Sequence, residues 1–312
     1  MAVLLSACGQ VPAPAPRPLV VASFYPMYEF AKQVGGNRVE VVSLVPDGVE
    51  PHDWEPSPQD LVRLRKARVF IYNGAGLESW EERFLKDLSD AQTAVVKTTE
   101  GVTPRSAAAG DHGHPAKKAQ GHRHGRKDPG EAKAAEPPAD PHVWLDPVRA
   151  RSQVEAIRAG LAQADPTNAA AYAENAEAYG ARLAALHEAF ERGLQRCARR
   201  DIVVSHAAFG YLADRYRLTM IPIAGLRPET EPSPAQLAAL VRLVRRTRVT
   251  HIFFERLVGA GLAETLAREV GAQTLVLNPI EGLTKEEAVA GKGYLSLMEE
   301  NLRNLRTALE CT

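Results

Sequence analysis

Three cysteines in 312 residues are too few for a disulfide framework. Charge of one sign is missing as well: Lys and Arg number 38, Asp and Glu number 38, and the formal net charge is zero. No global field draws the chain to a polyanion, and nucleic acid is not expected as a partner. No apolar run reaches the roughly 18 to 20 residues that a membrane-spanning helix needs. From Pro104 to His142 there is no Val, Ile, Leu, Met, Phe, Tyr or Trp, so that stretch cannot bury a core and reads as a mobile loop. What is present is ordinary globular material, 45% hydrophobic and 24% charged. The length is about twice that of one usual domain.

The cysteines differ by position. Cys8 closes Leu5-Ser6-Ala7-Cys8, and a Pro-rich stretch runs from there to Pro18. The segment resembles a bacterial lipobox with Cys8 as the lipidated residue, the alternative being a coincidental cysteine. The apolar stretch ahead of it is short and has no basic start, so a truncated leader or a misassigned start codon is expected. Cys197 and Cys311 either form a disulfide in an oxidising compartment or sit apart as two buried thiols.

From Leu19 onward, short β-branched runs alternate with helical patterns, which predicts an α/β chain with parallel strands. Strands are expected near 19–24, 39–45, 68–72 and 93–97, and again near 202–205, 218–223, 250–254 and 274–278. A long apolar-striped helix is expected over 168–196, about 43 Å at the standard rise, with closing helices at 260–270 and 293–309. The organisation that follows is a tether over 1–18, an N-terminal lobe over 19–146 with the loop 104–141 inside it, linker helices over 147–197 and a C-terminal lobe over 198–312.

An internal repeat supports two equivalent lobes, each a four-stranded parallel sheet with helices. Glu55-Pro56-Ser57-Pro58-Gln59-Asp60-Leu61 returns 176 residues later as Glu231-Pro232-Ser233-Pro234-Ala235-Gln236-Leu237. Both copies read as a helix start, with serine as N-cap, proline at the first helical position, and Asp60 or Gln236 at the capping-box place. Val21-Ala22-Ser23-Phe24 likewise parallels Val203-Val204-Ser205-His206.

In open parallel sheets, ligands collect beyond the carboxyl ends of the strands. Four residues are expected there: His52 after the second strand, His206 after the fifth, Glu281 past the eighth, and His142 where the chain returns from the loop. Three imidazoles and a carboxylate suit tetrahedral zinc. Manganese or iron is the alternative, although manganese favours more oxygen donors and a higher coordination number. A catalytic zinc would need an open position and a nearby base, and no His-Glu-x-x-His helix is present, so a hydrolase is the weaker rival and no enzyme is expected. Asp146 and Glu255 are candidates to orient imidazole N–H groups, with Asp146 equally placed to cap the helix that begins at Pro147. Trp54, Trp144 and Phe209 suit either dry cleft walls or plain core. His112, His114, His122 and His124 form a His-rich tract suited to loose, secondary metal binding.

At these motifs the sequence resembles the zinc-specific solute-binding proteins of bacterial ABC importers, the ZnuA/AdcA type of the cluster A-I metal-binding family. Pro51-His52-Asp53, Asp140-Pro141-His142-Val143-Trp144-Leu145-Asp146-Pro147, Val204-Ser205-His206-Ala207-Ala208-Phe209-Gly210-Tyr211 and Leu277-Asn278-Pro279-Ile280-Glu281-Gly282 carry the resemblance over about residues 19 to 310. It implies two lobes joined by a rigid backbone helix, with Zn²⁺ held in the cleft as cargo. It also implies an extracytoplasmic, lipid-anchored monomer that hands zinc to a membrane permease. By resemblance, His52, His142 and His206 are ligands. Many relatives carry Asp where this chain has Asn278, and Glu281 is assigned as fourth ligand from other zinc-specific members, with water or another carboxylate as the alternative. Deleting 106–139 is expected to lower total zinc stoichiometry and spare the tight site, as measured by zinc titration of the two proteins.

Overall fold

The computed structural model describes residues 17–89, 91–105, 139–228 and 232–312. Cys8 and the four histidines His112, His114, His122 and His124 lie outside the described residues.

The first half runs β1 (Leu19–Ala22), α1 (Tyr25–Gly35), β2 (Glu40–Ser43), α2 (Pro58–Lys66), β3 (Val69–Tyr72), α3 (Glu81–Asp87) and β4 (Ala94–Lys97). Two helices follow, α4 (Pro147–Ala164) and α5 (Ala169–Leu194). The second half runs β5 (Asp201–Val204), α6 (Gly210–Tyr216), β6 (Thr219–Pro222), α7 (Pro234–Thr247), β7 (His251–Phe254), α8 (Gly261–Val270), β8 (Gln273–Val276), α9 (Lys285–Val289) and α10 (Tyr294–Ala308). Each expected strand is present and entirely parallel, in sheets ordered β2-β1-β3-β4 and β6-β5-β7-β8. Both sheets reverse strand order beside their first strand, which opens a crevice at the carboxyl ends of β1 and β3 in one and of β5 and β7 in the other.

The repeated helix starts fold alike. Ser57 accepts from the backbone of Asp60 while Asp60 reaches back to the Ser57 N–H, and Ser233 and Gln236 do the same at α7. Strand pleating sorts the core into layers. Val20 and Ala22 face the central core while Val21 faces an outer cluster with Leu64, Phe70 and Trp80. Ile202 and Val204 likewise face inward, and Val203 faces outward to Val244, Ile252 and Leu266.

The central core is shared between the two halves, and α5 is its spine. Its 26 residues span about 39 Å. Tyr172, Ala176, Tyr179, Leu183, Leu186, Phe190 and Leu194 recur every three or four residues and are all buried. The helix lies against α1 and α4 at one end and α10 and α6 at the other. It ends at Leu194, two residues short of the expected end, and three residues on Cys197 is disulfide-bonded to Cys311, with an isolated antiparallel bridge between their backbones. Of the two expected arrangements, the disulfide is the one formed: the chain's return to the foot of α5 brings the two cysteines together.

Gly160 on α4 sits where a Cβ would lie 2.2 Å from Val96 Cγ2 of β4. Alanine favours helix by up to about 1 kcal/mol over glycine, but overpacking of this kind costs about 1 to 3 kcal/mol. Gly160→Ala is expected to be destabilising in urea unfolding, and Val96→Ala in the same chain to recover part of the loss.

Candidate metal centre

Three strand ends and the start of α4 bring four donors to one point. His52 lies in the turn between β2 and α2; His142 opens the 3₁₀ turn Val143–Leu145 ahead of α4; His206 directly follows β5; and Glu281 lies beyond β8. Their exposures are 3%, 0%, 0% and 1%. Among the described residues they form one group with a donor atom from each, all within 4.8 Å of one another.

The spacing is that of a coordination shell. His142 Nε2 lies 3.3 Å from both His52 Nε2 and His206 Nε2. Glu281 Oε1 lies 3.4, 3.0 and 3.4 Å from the Nε2 atoms of His52, His142 and His206. A tetrahedron with bonds of about 2.0 to 2.1 Å has edges of about 3.3 to 3.4 Å, and these five separations are close to that, so three nitrogens and one oxygen converge on a space the size of one ion. Glu281 is buried, and neither of its oxygens takes an aligned hydrogen bond.

Two of the rings have their tautomers set from behind. Asp140 Oδ1 lies 2.8 Å from His142 Nδ1, and Glu255 Oε1 lies 2.7 Å from His206 Nδ1. A carboxylate only accepts, so each Nδ1 carries the proton and each Nε2 turns its lone pair toward the centre. His206 and Glu255 stand at the ends of β5 and β7, on the two sides of the crevice where the second sheet reverses order.

Asp146, expected as one of these orienting groups, does not touch an imidazole. Its Oδ1 accepts from the Val148 N–H at the start of α4, and both its oxygens accept from Arg215. Its position directly before Pro147 made it the N-cap, and the orienting role belongs to Asp140, whose Oδ1 accepts from both the backbone N–H and the ring of His142. The motif Asp-Pro-His carried that signal, because an aspartate two residues ahead of a histidine reaches both groups. Glu50 was also missed: its Oε1 accepts from the His52 N–H and its Oε2 is buried with no partner. Trp144 is buried 5.4 Å from the His142 ring, and its Nε1 donates to the Pro279 carbonyl, so it is a wall of the site. Phe209 belongs to the central core, and Trp54 packs edge-on to Trp80 in the outer cluster.

Glu281 is presented by a strained turn. Ile280 has φ of +58°, uncommon for a β-branched residue. Asn278 holds the turn: its Oδ1 accepts from the Ile280 N–H at 2.7 Å, and Asn301 donates to and accepts from its backbone. Asn278 therefore organises the loop, its Oδ1 taken by the Ile280 N–H and its Nδ2 donating to Glu287.

Residues 20–308 match the zinc-uptake complex component A (periplasmic) family, ZnuA. The chain belongs to this family. The ZnuA match extends to individual relatives. The chain is 37% identical over 290 residues to the high-affinity zinc uptake system protein ZnuA of Bacillus subtilis, an alignment covering 93% of this chain and 87% of that protein. It is also 37% identical over 308 residues to the zinc-binding lipoprotein AdcA of Streptococcus pneumoniae, covering 98% of this chain but 58% of AdcA. The crystal structure of the Zn(II)-bound ZnuA-like domain of that AdcA matches with a TM-score of 0.78 at 35% identity, over 94% of this chain and 99% of that one.

Electrostatics around the ZnuA-type donors set a pH dependence. Burial works against charge on His142 and His206, but Asp140 and Glu281 at the first, and Glu255 and Glu281 at the second, outweigh it and raise both imidazoles. Burial likewise opposes charge on Glu281, yet His52 and His206 hold it well below the ordinary carboxylate value. Burial, and then the charge of Glu281, push Glu50 up to about 9. The raised imidazoles stabilise the metal-free fold fully below about pH 6.5 and lose that contribution as pH rises through their own values. Glu50, which holds its proton longer than in the unfolded chain, acts in the same direction. The lowered Glu281 stabilises above the ordinary carboxylate value and loses this as pH falls through its own. Chelated, metal-free protein is therefore expected to be most stable in mild acid and to lose stability from about pH 6 to pH 9. Urea midpoints across that range check it, and a rising midpoint contradicts it.

Proposed function

We propose that this chain captures Zn²⁺ outside the cytoplasm at His52, His142, His206 and Glu281 and passes it to the membrane permease of an ABC importer. The observation that carries the reading is the convergence of three imidazole nitrogens and one carboxylate oxygen, five of their separations being 3.0 to 3.4 Å and all four side chains buried. Three neutral rings and one anion leave the bound ion a net positive charge, which Glu255 and Asp140 behind the rings offset in part. Zinc must displace protons from the raised imidazoles, so affinity falls as the solution is acidified.

The fourth position separates this reading from hydrolysis. A catalytic zinc keeps a place for water, and Glu281 fills it. The donor set of three nitrogens and one oxygen likewise favours zinc over manganese. The relatives matched here are named for zinc uptake and zinc binding.

In this reading, residues 19–146 and 198–312 are the two jaws and residues 147–197 the strut between them. Residues 1–18 form a tether, with Cys8 lipidated at the outer face of the membrane. His112, His114, His122 and His124 take up further zinc weakly, and the protein works as a monomer. The jaws meet beside the site: Arg227 Nη2 donates to the His52 carbonyl at 2.7 Å, and the Gly48 N–H donates to the Leu283 carbonyl at 2.7 Å. With ligands this buried, zinc leaves only when His52 and the C-terminal residues His206 and Glu281 separate.

Titration against a competing chelator, repeated with excess Mn²⁺, is expected to show one tight zinc per chain that manganese does not displace. His52→Ala, His142→Ala, His206→Ala and Glu281→Ala are each expected to weaken it by more than about a hundredfold, beyond what loss of an outer partner costs. An unchanged affinity removes that residue from the site.

A further inference from the structure

We propose that Arg105 is a positioning residue for the zinc site: through Asp140 it fixes the ring of His142, and through Asp214 it ties that ring to α6 of the opposite half. The inference rests on His142 being a zinc ligand.

The two oxygens of Asp140 do different work. Oδ1 accepts from the backbone N–H of His142 at 3.0 Å and from its Nδ1 at 2.8 Å, while Oδ2 is buried with no hydrogen bond. The cation facing Oδ2 is Arg105, whose Nη1 lies 3.6 Å away. Arg105 is itself largely buried, with 11% of its side chain exposed, and its Nε donates to Asp214 Oδ2 on α6 at 2.9 Å. One planar guanidinium therefore faces a carboxylate of each half. Lysine carries the charge but lacks that fork.

The backbone around the pair is fixed as well. The Asp140 N–H donates to the Arg105 carbonyl at 2.8 Å. The Tyr211 hydroxyl accepts from the Arg105 N–H at 2.9 Å and donates to the Asp140 carbonyl at 3.0 Å. Gly210, the first residue of α6, leaves the room this requires: a Cβ there would lie 2.5 Å from Arg105 Nη1 and 2.6 Å from Asp140 Oδ2. The side chain of Asp140 cannot retreat without turning His142, since both hydrogen bonds of Oδ1 go to that residue.

A displacement of His142 matters because its Nε2 shares the 3.3 Å edges with both other imidazoles. A small rotation of this ring distorts the polyhedron at three edges together, and the loss should appear in affinity and ligand field rather than in folding.

The test compares Arg105→Ala, Arg105→Lys and Gly210→Ala in the full chain. The readouts are zinc affinity by chelator competition, the visible spectrum of the Co²⁺-loaded protein, and the melting temperature of the chelated protein. Arg105→Ala is expected to weaken zinc about 10- to 100-fold, as loss of an outer-sphere partner does. It should also change the cobalt bands and leave the metal-free melting temperature close to the parent's. Lysine should recover part of the affinity, and Gly210→Ala should reproduce the loss by pushing the pair apart. Parent-like affinity and cobalt spectrum in Arg105→Ala overturn the proposal, as does an affinity loss that only tracks a fall in melting temperature with lysine no better than alanine. If Arg105→Ala does not fold, Gly210→Ala decides by the same affinity and spectral criteria. His142→Ala in parallel separates the two levels. Undiminished zinc binding there sinks the underlying reading, whereas a loss there beside parent-like Arg105→Ala sinks only this one.

Discussion

Three imidazole nitrogens and a carboxylate oxygen converge, five of their separations being 3.0 to 3.4 Å, with all four side chains buried. Such a set is poorly satisfied by itself, since four buried polar groups crowd one point and the carboxylate lacks an aligned donor. Much of the surrounding structure makes sense as what holds that arrangement until a cation enters. Glu255 and Asp140 set tautomers, Asn278 and Asn301 hold a turn through a strained Ile280, and α5 keeps the two halves at a fixed separation along their backs.

The repeat makes the asymmetry of the two halves informative. Both sheets open a crevice where strand order reverses. In the second, His206 and Glu255 occupy it. In the first, Phe24 stands at the place corresponding to His206, and the crevice is closed by Glu78, whose carboxylate accepts from Ser23 Oγ and from the N–H groups of Asn73 and Gly74. A carboxylate remains in both, but one braces an imidazole and the other braces backbone. The first half's members of the candidate site lie beyond that crevice: His52 after the neighbouring strand, and His142, whose preceding carbonyl, that of Pro141, accepts from Asn73 Nδ2.

The fold was legible because its signals are local. Strands of β-branched residues, the Ser-Pro helix starts and the seven-residue stripe of α5 are each fixed within a few positions of themselves. The four donors were legible from one topological rule together with a resemblance spread over four motifs. The supporting residues divided. Glu255 stood out because it follows a strand at the carboxyl end where ligands gather, but Asp146 was drawn toward Pro147 and Arg215, and Asp140, two residues from its histidine, did the work assigned to it. Glu50 and Arg105 left no sequence signal, since a buried glutamate and an arginine at a loop's edge read as solvated groups until the packing around them is known.

The bond between Cys197 and Cys311, 114 positions apart in sequence, closes the chain between them into a covalent ring. His206, Glu255 and Glu281 all lie inside that ring; His52, Asp140 and His142 all lie outside it. Under the proposed function, a bound ion fastens the inside of the ring to the outside, and it can open while the disulfide stays closed. Release of the ion under that function leaves the ring itself closed, so loading and unloading reuse an intact half rather than reassembling one.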